Sequence, residues 1–428
     1  MTVRSASRSL GVTIAIALLM VASGASQQPP PPPNIPSVTL PLGPAPQTPP
    51  PQTFRSGVEL VTVDVQVVDK KGQPITGLKP EQFEVTIDGK KRQVISALLI
   101  DAATGTPHPS NAAPAEAPGP VSGKPISAGN LYVLAIDQGS FRAINAPAAV
   151  HVVKEFIKRL SLNDYLGIIA FPQPGIIIDP TRERAPLTAA VNKVVGFTSL
   201  TQRPKYRFTL SDAIDVSARD RDALQQVVER NCEPGNLYCP KDIEMEMTSA
   251  LSNLEAQAVR SLDGLRGVVE MMRTLEGRKT LILVSAGMPS GDRTGARLYL
   301  RTNASELGKQ AAASGILLYT LHMNTSFLDA FSAEGIPVSE TLMRETGVYA
   351  RGLDLFNGTA GGALVEVNTG PDFAVDRVIR ETSSYYLLGV KPEPADHDGK
   401  GHTINVRVSQ RDSSVRSRKT MIFPKATS

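Results

Sequence analysis

From Leu131 onward the chain repeats one pattern, a short apolar run followed by an amphipathic helical stretch. Leu131 to Ile136 is apolar and ends at Asp137, and Ala146 to Leu160 then carries Val150, Val153, Phe156, Ile157 and Leu160 on one helical face. Tyr165 to Phe171, Ile176 to Ile178, Thr280 to Val284 and Ile316 to Leu321 are further runs suited to buried strands. Leu187 to Val195, Gly295 to Ser314, Glu340 to Thr346 and Phe373 to Thr382 have helical character. Continuously apolar strands are covered on both faces. Their alternation with helices predicts a mostly parallel sheet with helices on each side.

The flanks obey a different period. Val61, Val63, Val65 and Val67 alternate with Thr62, Asp64 and Gln66, and Phe83, Val85 and Ile87 lead to Asp88-Gly89, a hairpin signal. Val94 to Ile100 is a third strand. After the last helix, Tyr385 to Val390, Thr403 to Val408 and Lys419 to Phe423 resume period two. Neither flank can bury an apolar face alone. The expected fold class is therefore α/β, a doubly wound domain at 129–383 inserted in a β-sandwich of Ig-like type. N-terminal strands at 54–100 and C-terminal strands at 384–428 build that sandwich.

Other segments are read from composition. Arg4 and Arg8 precede the uncharged run Leu10 to Val21 and the small residues Ala22 to Ala25, the layout of a signal peptide over 1–25. That run is too short to span a bilayer, which needs about 20 residues. The expectation is an exported chain, periplasmic or secreted, with no membrane span after cleavage. Residues 26–53 are Pro-rich and predict an extended linker. The Ala-, Pro- and Gly-rich stretch 101–128 predicts a second one.

Two helical stretches exceed the repeat. Ser211 to Arg230 is one, and Ile243 to Leu275 is the other. The second carries Met247, Leu251, Leu254, Ala258, Leu262, Leu265, Val269 and Met272 at helical spacing. Together they predict a projecting helical hairpin over 210–276. Its tip holds Cys232 and Cys239, the chain's two cysteines. In an exported protein their default state is a disulfide, and no His stands near in sequence to complete a metal site.

Composition removes several classes of function. The net charge is +4, and +2 once Arg4 and Arg8 are removed, too little to suggest nucleic acid. With no Trp and 5% aromatic residues, a stacking platform is not expected. No metalloprotease helix, phosphate-binding loop or nucleophile elbow occurs. Asp137, Asp179 and His322 end predicted strands and could share a rim, but no spacing of nucleophile and base accompanies them.

The strand ending in Asp137 and the alternation after it resemble a von Willebrand factor type A domain. The stretch VDVQVVDKKGQPITGLKPEQFEVTIDGKKRQV, within Val61 to Ile95, and SSYYLLGVKP after the last helix resemble exported bacterial proteins of the vWA-related, Acidobacteria type. The resemblance covers nearly all of the chain after the signal segment. It implies a crevice at the carboxyl ends of the strands that holds Mg²⁺ through D-x-S-x-S, a Thr on a second loop and an Asp after the fourth strand.

Here that pattern is damaged. Asp137 stands first, but Gly139 and Phe141 occupy the two Ser positions, Ser140 lies out of register, and Val284-Ser285-Ala286-Gly287 lacks the Asp. Asp137, Ser140 and Thr209 remain as metal-ligand candidates of a degenerate site, the alternative being a hydrogen-bonded strand-end Asp137. Arg142, Arg203, Lys205 and Arg207 are partner-binding candidates. One of these cations could replace the metal and pair with Asp137, or the loop could simply be solvated. The implied role is a non-enzymatic protein-binding protein of the cell envelope. Two alternatives are a periplasmic assembly or scaffolding factor working through the hairpin and an exported enzyme.

Overall fold

The computed structural model describes residues 60–107, 129–172, 175–198, 205–275, 277–293, 295–298, 300–325, 339–367, 370–423 and 425. The expected signal peptide and Pro-rich linker, most of the second linker and Arg203 lie outside these residues.

The described residues open with four strands, β1 (Val61–Asp69), β2 (Phe83–Ile87), β3 (Lys90–Arg92) and β4 (Val94–Asp101). Asp88 and Gly89 both take positive φ, 48° and 80°, so the Asp-Gly pair makes the tight β2–β3 turn. The central block follows. It comprises β5 (Leu131–Asp137), α1 (Ala146–Arg159), β6 (Tyr165–Phe171), β7 (Ile176–Thr181), α2 (Arg184–Val191), α3 (Leu210–Ser217), α4 (Arg221–Asn231) and α5 (Cys239–Arg273). It continues through β8 (Lys279–Ser285), α6 (Arg301–Ala313), β9 (Ile316–Met323), α7 (Ser339–Ala360), β10 (Ala363–Val367) and α8 (Pro371–Thr382). β11 (Ser384–Val390), β12 (Gly401–Val408), β13 (Ser413–Ser417) and β14 (Thr420–Ile422) end it.

The central sheet has the order β10-β9-β8-β5-β6-β7, parallel except for antiparallel β7 at its edge. Alternate side chains of β5 serve opposite cores. Tyr132, Leu134 and Ile136 pack with residues of α1, α2 and α8. Val133 and Ala135 pack with residues of α5, α6 and α7. The fold is thus mixed α/β, a mainly parallel sheet flanked by helices and by antiparallel sheets. Both antiparallel sheets are composites of the two chain ends, β13-β1-β11-β4 and β14-β12-β2-β3. Their inward faces share one apolar cluster that includes Val63, Val65, Phe83, Val85, Leu388, Ile404 and Phe423.

Several elements depart from the sequence expectation. The helix predicted to stop before Gly347 runs on to Ala360 through Gly347, Gly352 and Gly358. Close packing explains two glycines at this interface. A Cβ on Gly352 would lie 2.4 Å from the Met288 carbonyl oxygen, and one on Gly308 of α6 would lie 1.8 Å from Thr359 Oγ1 of α7. β10 and β13 go beyond the expected strands. Both lie at sheet edges, where the apolar signal is weakest.

The hairpin has three helices rather than two. Arg219 turns the chain at φ 67°, and Asp220 caps α4 by accepting from the N–H groups of Asp222 and Ala223, each at 3.1 Å. Nor does it simply project. Ala213, Ile214, Val227, Ile243 and Met247 form a small core with Ala296, Leu298 and Val348. Cys232 and Cys239 are bonded, with Cα atoms 5.8 Å apart.

Candidate functional site

β5 lies between β6 and β8, where the order of the sheet reverses, and Asp137 is its last residue. Ligands of open α/β sheets sit at such reversals, beyond the carboxyl ends of the strands. Asp137 is only 1% exposed, because α5 crosses directly above it. Gly264 permits that crossing, since a Cβ there would meet the Phe171 ring at 2.3 Å. One turn earlier on the same helix face, Ser261 Oγ donates to Asp137 Oδ1 at 2.9 Å. Ser285 Oγ, at the end of β8, donates to Oδ2 at 3.1 Å. The nearby backbone N–H groups of Gly139 and Ser140 also favour the charged form, although the Ser140 N–H donates to the Asp137 main-chain carbonyl at 3.1 Å. Burial outweighs these groups and pushes the carboxyl up to about 7.

The loop after Asp137 is consumed by structure. Ser140 Oγ donates to the Asp137 carbonyl at 2.7 Å and accepts from Ala286 N–H at 2.8 Å, joining the ends of β5 and β8. Phe141 is 1% exposed and belongs to the core. Residues 195–198 close over the loop. Val195 N–H donates to Gln138 Oε1 at 3.0 Å, Phe197 N–H to the Gln138 carbonyl at 2.9 Å, and Thr198 Oγ1 to the Gly139 carbonyl at 2.6 Å.

The remaining sequence candidates do not converge on Asp137. Thr209 caps α3. Its Oγ1 accepts from Asp212 N–H at 3.0 Å, while Asp212 Oδ2 accepts from Thr209 N–H at 2.9 Å. This reciprocal box, S/T-x-x-D here, commits the hydroxyl to a helix end. The basic loop faces the hairpin. Lys205 N–H donates to Glu246 Oε1 at 2.5 Å, its ammonium lies 3.9 Å from Asp242, and Arg207 N–H donates to Asn231 Oδ1 at 2.7 Å. Among the described residues the hydrogen-bond partners of the Asp137 carboxylate are the hydroxyls of Ser261 and Ser285 rather than the cation expected from this loop. Arg142 begins the short helical turn before α1, its carbonyl accepting from Asn145 N–H at 2.9 Å.

His322 does reach this edge. It is 1% exposed, and its Nε2 lies 3.3 Å from the Ala286 carbonyl oxygen. Burial lowers its pKa, so the neutral ring donates through Nε2–H. Asp179 does not share the rim. β7 runs antiparallel, with Ile176 beside Ala170 and Thr181 beside Leu166, which carries Asp179 toward the amino end of β6.

The donor set does not suit Mg²⁺. That ion wants near-octahedral oxygen ligands and usually more than one anionic group nearby. Asp137 brings one carboxylate, already bound by the hydroxyls of Ser261 and Ser285, and the hydroxyls of Ser140 and Thr209 are engaged elsewhere. Among the described residues, no group of three or more His, Cys, Asp or Glu side chains could hold a metal.

Sequence reasoning missed Ser261. Its signal was present, a polar residue beside Leu262 on the buried face of an amphipathic helix. Ser285, in the turn that lacks the expected carboxylate, is a donor to the remaining one. Neither known protein families nor curated proteins match this chain.

Proposed function

We propose that this chain is a non-enzymatic, exported cell-envelope protein that binds a protein partner through a von Willebrand factor type A-like domain with a degenerate metal site, inserted in a β-sandwich. The observation that carries the reading is the state of Asp137. At the reversal point of the sheet, where a ligand would sit, the carboxylate is taken up by the hydroxyls of Ser261 and Ser285. An adhesion site needs open coordination positions there, and a catalytic site needs a nucleophile or base facing a cavity. Neither chemistry is supported by hydroxyls turned inward on a buried carboxylate. Partner binding would then be insensitive to divalent ions.

A second reading, an assembly or scaffolding factor acting through the hairpin, draws on one observation. Leu237 and Tyr238, beside the Cys232–Cys239 bond, are 87% and 82% exposed. The two readings part on where variants act.

The test is titration calorimetry of the full chain with Mg²⁺ and Mn²⁺, paired with cross-linking capture from envelope extracts with and without EDTA. The expected result is no saturable metal heat and EDTA-insensitive capture. Micromolar metal binding abolished by Asp137→Ala would overturn the degenerate-site reading and restore a metal-dependent adhesion mechanism. Capture lost in a Leu237→Ser, Tyr238→Ser double variant would move the partner to the hairpin.

A further inference from the structure

The opposite edge of the central sheet holds a cavity of about 120 Å³ that the reading above does not use. It opens where the amino ends of β8 and β9 meet β1 and β13. Its volume suits several waters or one small anion. Gly277 and Gly315 form part of its wall. Both take positive φ, 83° and 69°, and a Cβ at either would meet nothing within 4 Å, so their missing side chains leave the space open.

Three arginines line the cavity, Arg278, Arg416 and Arg418, against one acid, Asp64. Arg416 is committed, since its Nε donates to Glu381 Oε2 at 2.5 Å. Arg278 stacks 4.3 Å from the centre of the Tyr385 ring and donates from one terminal nitrogen to Asn130 Oδ1 at 2.9 Å. Arg418 donates to the Thr62 carbonyl at 2.7 Å through one terminal nitrogen, and its Nε is buried with no partner among the described residues. Ser417, 2% exposed, leaves its hydroxyl unpartnered in the same way. Gln66, also 2% exposed, has one end of its amide 2.8 Å from Tyr319 Oη and the other end unpartnered.

Buried polar atoms without partners are rare in folded proteins, and three of them belong to residues that line one cavity, where an occupant reached by a small turn of these side chains would satisfy them. The occupant must accept hydrogen bonds from a guanidinium and a hydroxyl. Arginine forks suit oxyanions in particular. Two features limit its size and charge. Asp64 supplies a negative charge on the wall, and α5 and α6 end near this edge, where helix carbonyls carry partial negative charge. A large polyanion is thereby disfavoured, while a small anion with one or two charges is accommodated.

We propose that this cavity binds a small oxyanion, a phosphate or carboxylate group, held by Arg278, Ser417 and Arg418. Because the site lies at the seam between the central sheet and the β13-β1-β11-β4 sheet, the bound anion would pin the two together. This proposal is independent of the partner-binding reading above.

The experiment is calorimetric titration of the full chain at constant ionic strength in chloride, with inorganic phosphate in one arm and acetate in the other. The expected result is saturable one-to-one binding of at least one anion, with the stronger arm identifying the group. Ser417→Ala, which removes only a hydroxyl, and Arg278→Gln should each weaken that binding tenfold or more. Thermal melting without added anion should stay the same for Ser417→Ala, which separates lost binding from lost folding. Absence of saturable binding in both arms would overturn the proposal and leave the cavity to water. Equal affinity of the wild type and both variants would also overturn it, by showing the anion to be bound elsewhere.

Discussion

Two buried carboxylates invite comparison. Asp137, at the carboxyl edge of the central sheet, is 1% exposed and is held by two serine hydroxyls, with the Gly139 and Ser140 N–H groups also favouring its charged form. Glu381 of α8, at the seam with the β13-β1-β11-β4 sheet, is 0% exposed and is held by Arg416, Arg377 and the Tyr319 hydroxyl. Burial raises both pKa values. At Asp137 the neutral donors do not compensate, and the carboxyl is pushed up to about 7. At Glu381 the two guanidinium groups overcome burial and hold the carboxyl below its usual range. Two carboxylates shielded from solvent thus have opposite charge preferences, and charged neighbours are what hold the Glu381 carboxyl down. Asp137 is held by neutral donors, whereas Glu381 is held by charged ones.

That difference is tested most severely at Glu381. Glu381→Gln removes the charge that balances two arginines, of which Arg416 is largely buried. Breaking a buried ion pair from one side costs about 3–5 kcal/mol. Urea unfolding of the variant should show a loss in that range. A loss below about 1 kcal/mol would mean that the arginines find water or other acceptors, and the contrast with Asp137 would fail.

At Asp137 the sign reverses. The folded-state pKa of about 7 lies above the unfolded value of 3.8, so the folded protein binds the extra proton between them. This contribution to stability is therefore present at acid pH and is lost as pH rises from about 4 through 7. Asp137→Asn, which keeps the shape and removes the charge, should match the wild type at pH 4. At pH 8 it should be more stable by up to about 4 kcal/mol, each pKa unit corresponding to about 1.4 kcal/mol. Chemical denaturation across this range measures it. A wild-type curve with the same slope as the Asn variant would show that Asp137 is ionised in the folded state at little cost.

The depth of Asp137 depends on how closely α5 crosses the sheet. Gly264→Ala would place a Cβ 2.3 Å from the Phe171 ring, within a packed core, so the helix or the ring has to shift. Overpacking of this kind costs about 1–3 kcal/mol, partly offset by the better helix propensity of Ala, worth about 1 kcal/mol. The net loss should be about 2 kcal/mol by thermal or urea unfolding. It should be accompanied by a lower Asp137 pKa, because a displaced helix admits water. A stabilised variant with an unchanged carboxyl would mean that the crossing is loose and that burial has another source.

The period of each segment made the architecture legible. Alternation in Val61 to Val67 marked a strand, although β1 buries Gln66 and Val68 of its second face as well, and the continuous apolar run Leu131 to Ile136 marked a strand covered on both faces. The composite antiparallel sheets followed from the impossibility of burying either flank alone. Glycine was less readable. Gly347 and Gly352 have the composition of a helix stop, yet at Gly352 the reason for the residue is the approach of Met288, which only tertiary structure supplies. At the site, Asp137 was legible because it ends an apolar run. Its partners were not, since Ser261 comes from a helix more than 120 residues away and spacing along the chain carries no information about that crossing. The arginine-lined cavity was similarly hidden. Arg278 precedes a strand of the central block and Arg418 follows one in the C-terminal flank, and only the composite sheet brings them to one wall.

The smallest expected effect separates the two kinds of donor at Asp137. Ser261→Ala deletes one hydroxyl from a fully buried position and leaves Ser285 and the backbone N–H groups in place. A hydrogen bond to an ionised group is worth about 1.5–3 kcal/mol, and one to a neutral group about 0.5–1.5 kcal/mol. The variant should therefore lose about 1.5 kcal/mol at pH 8, where Asp137 is ionised, and less at pH 4, where it is protonated. Losing a donor that favours the charged form also raises the carboxyl further above 7, so the pH-dependent fall in stability should extend to higher pH than in the wild type. Denaturant midpoints at the two pH values measure both effects. A loss that is equal at pH 4 and pH 8 would assign Ser261 a packing role only. It would leave Ser285 and the backbone N–H groups as the donors that support the charge.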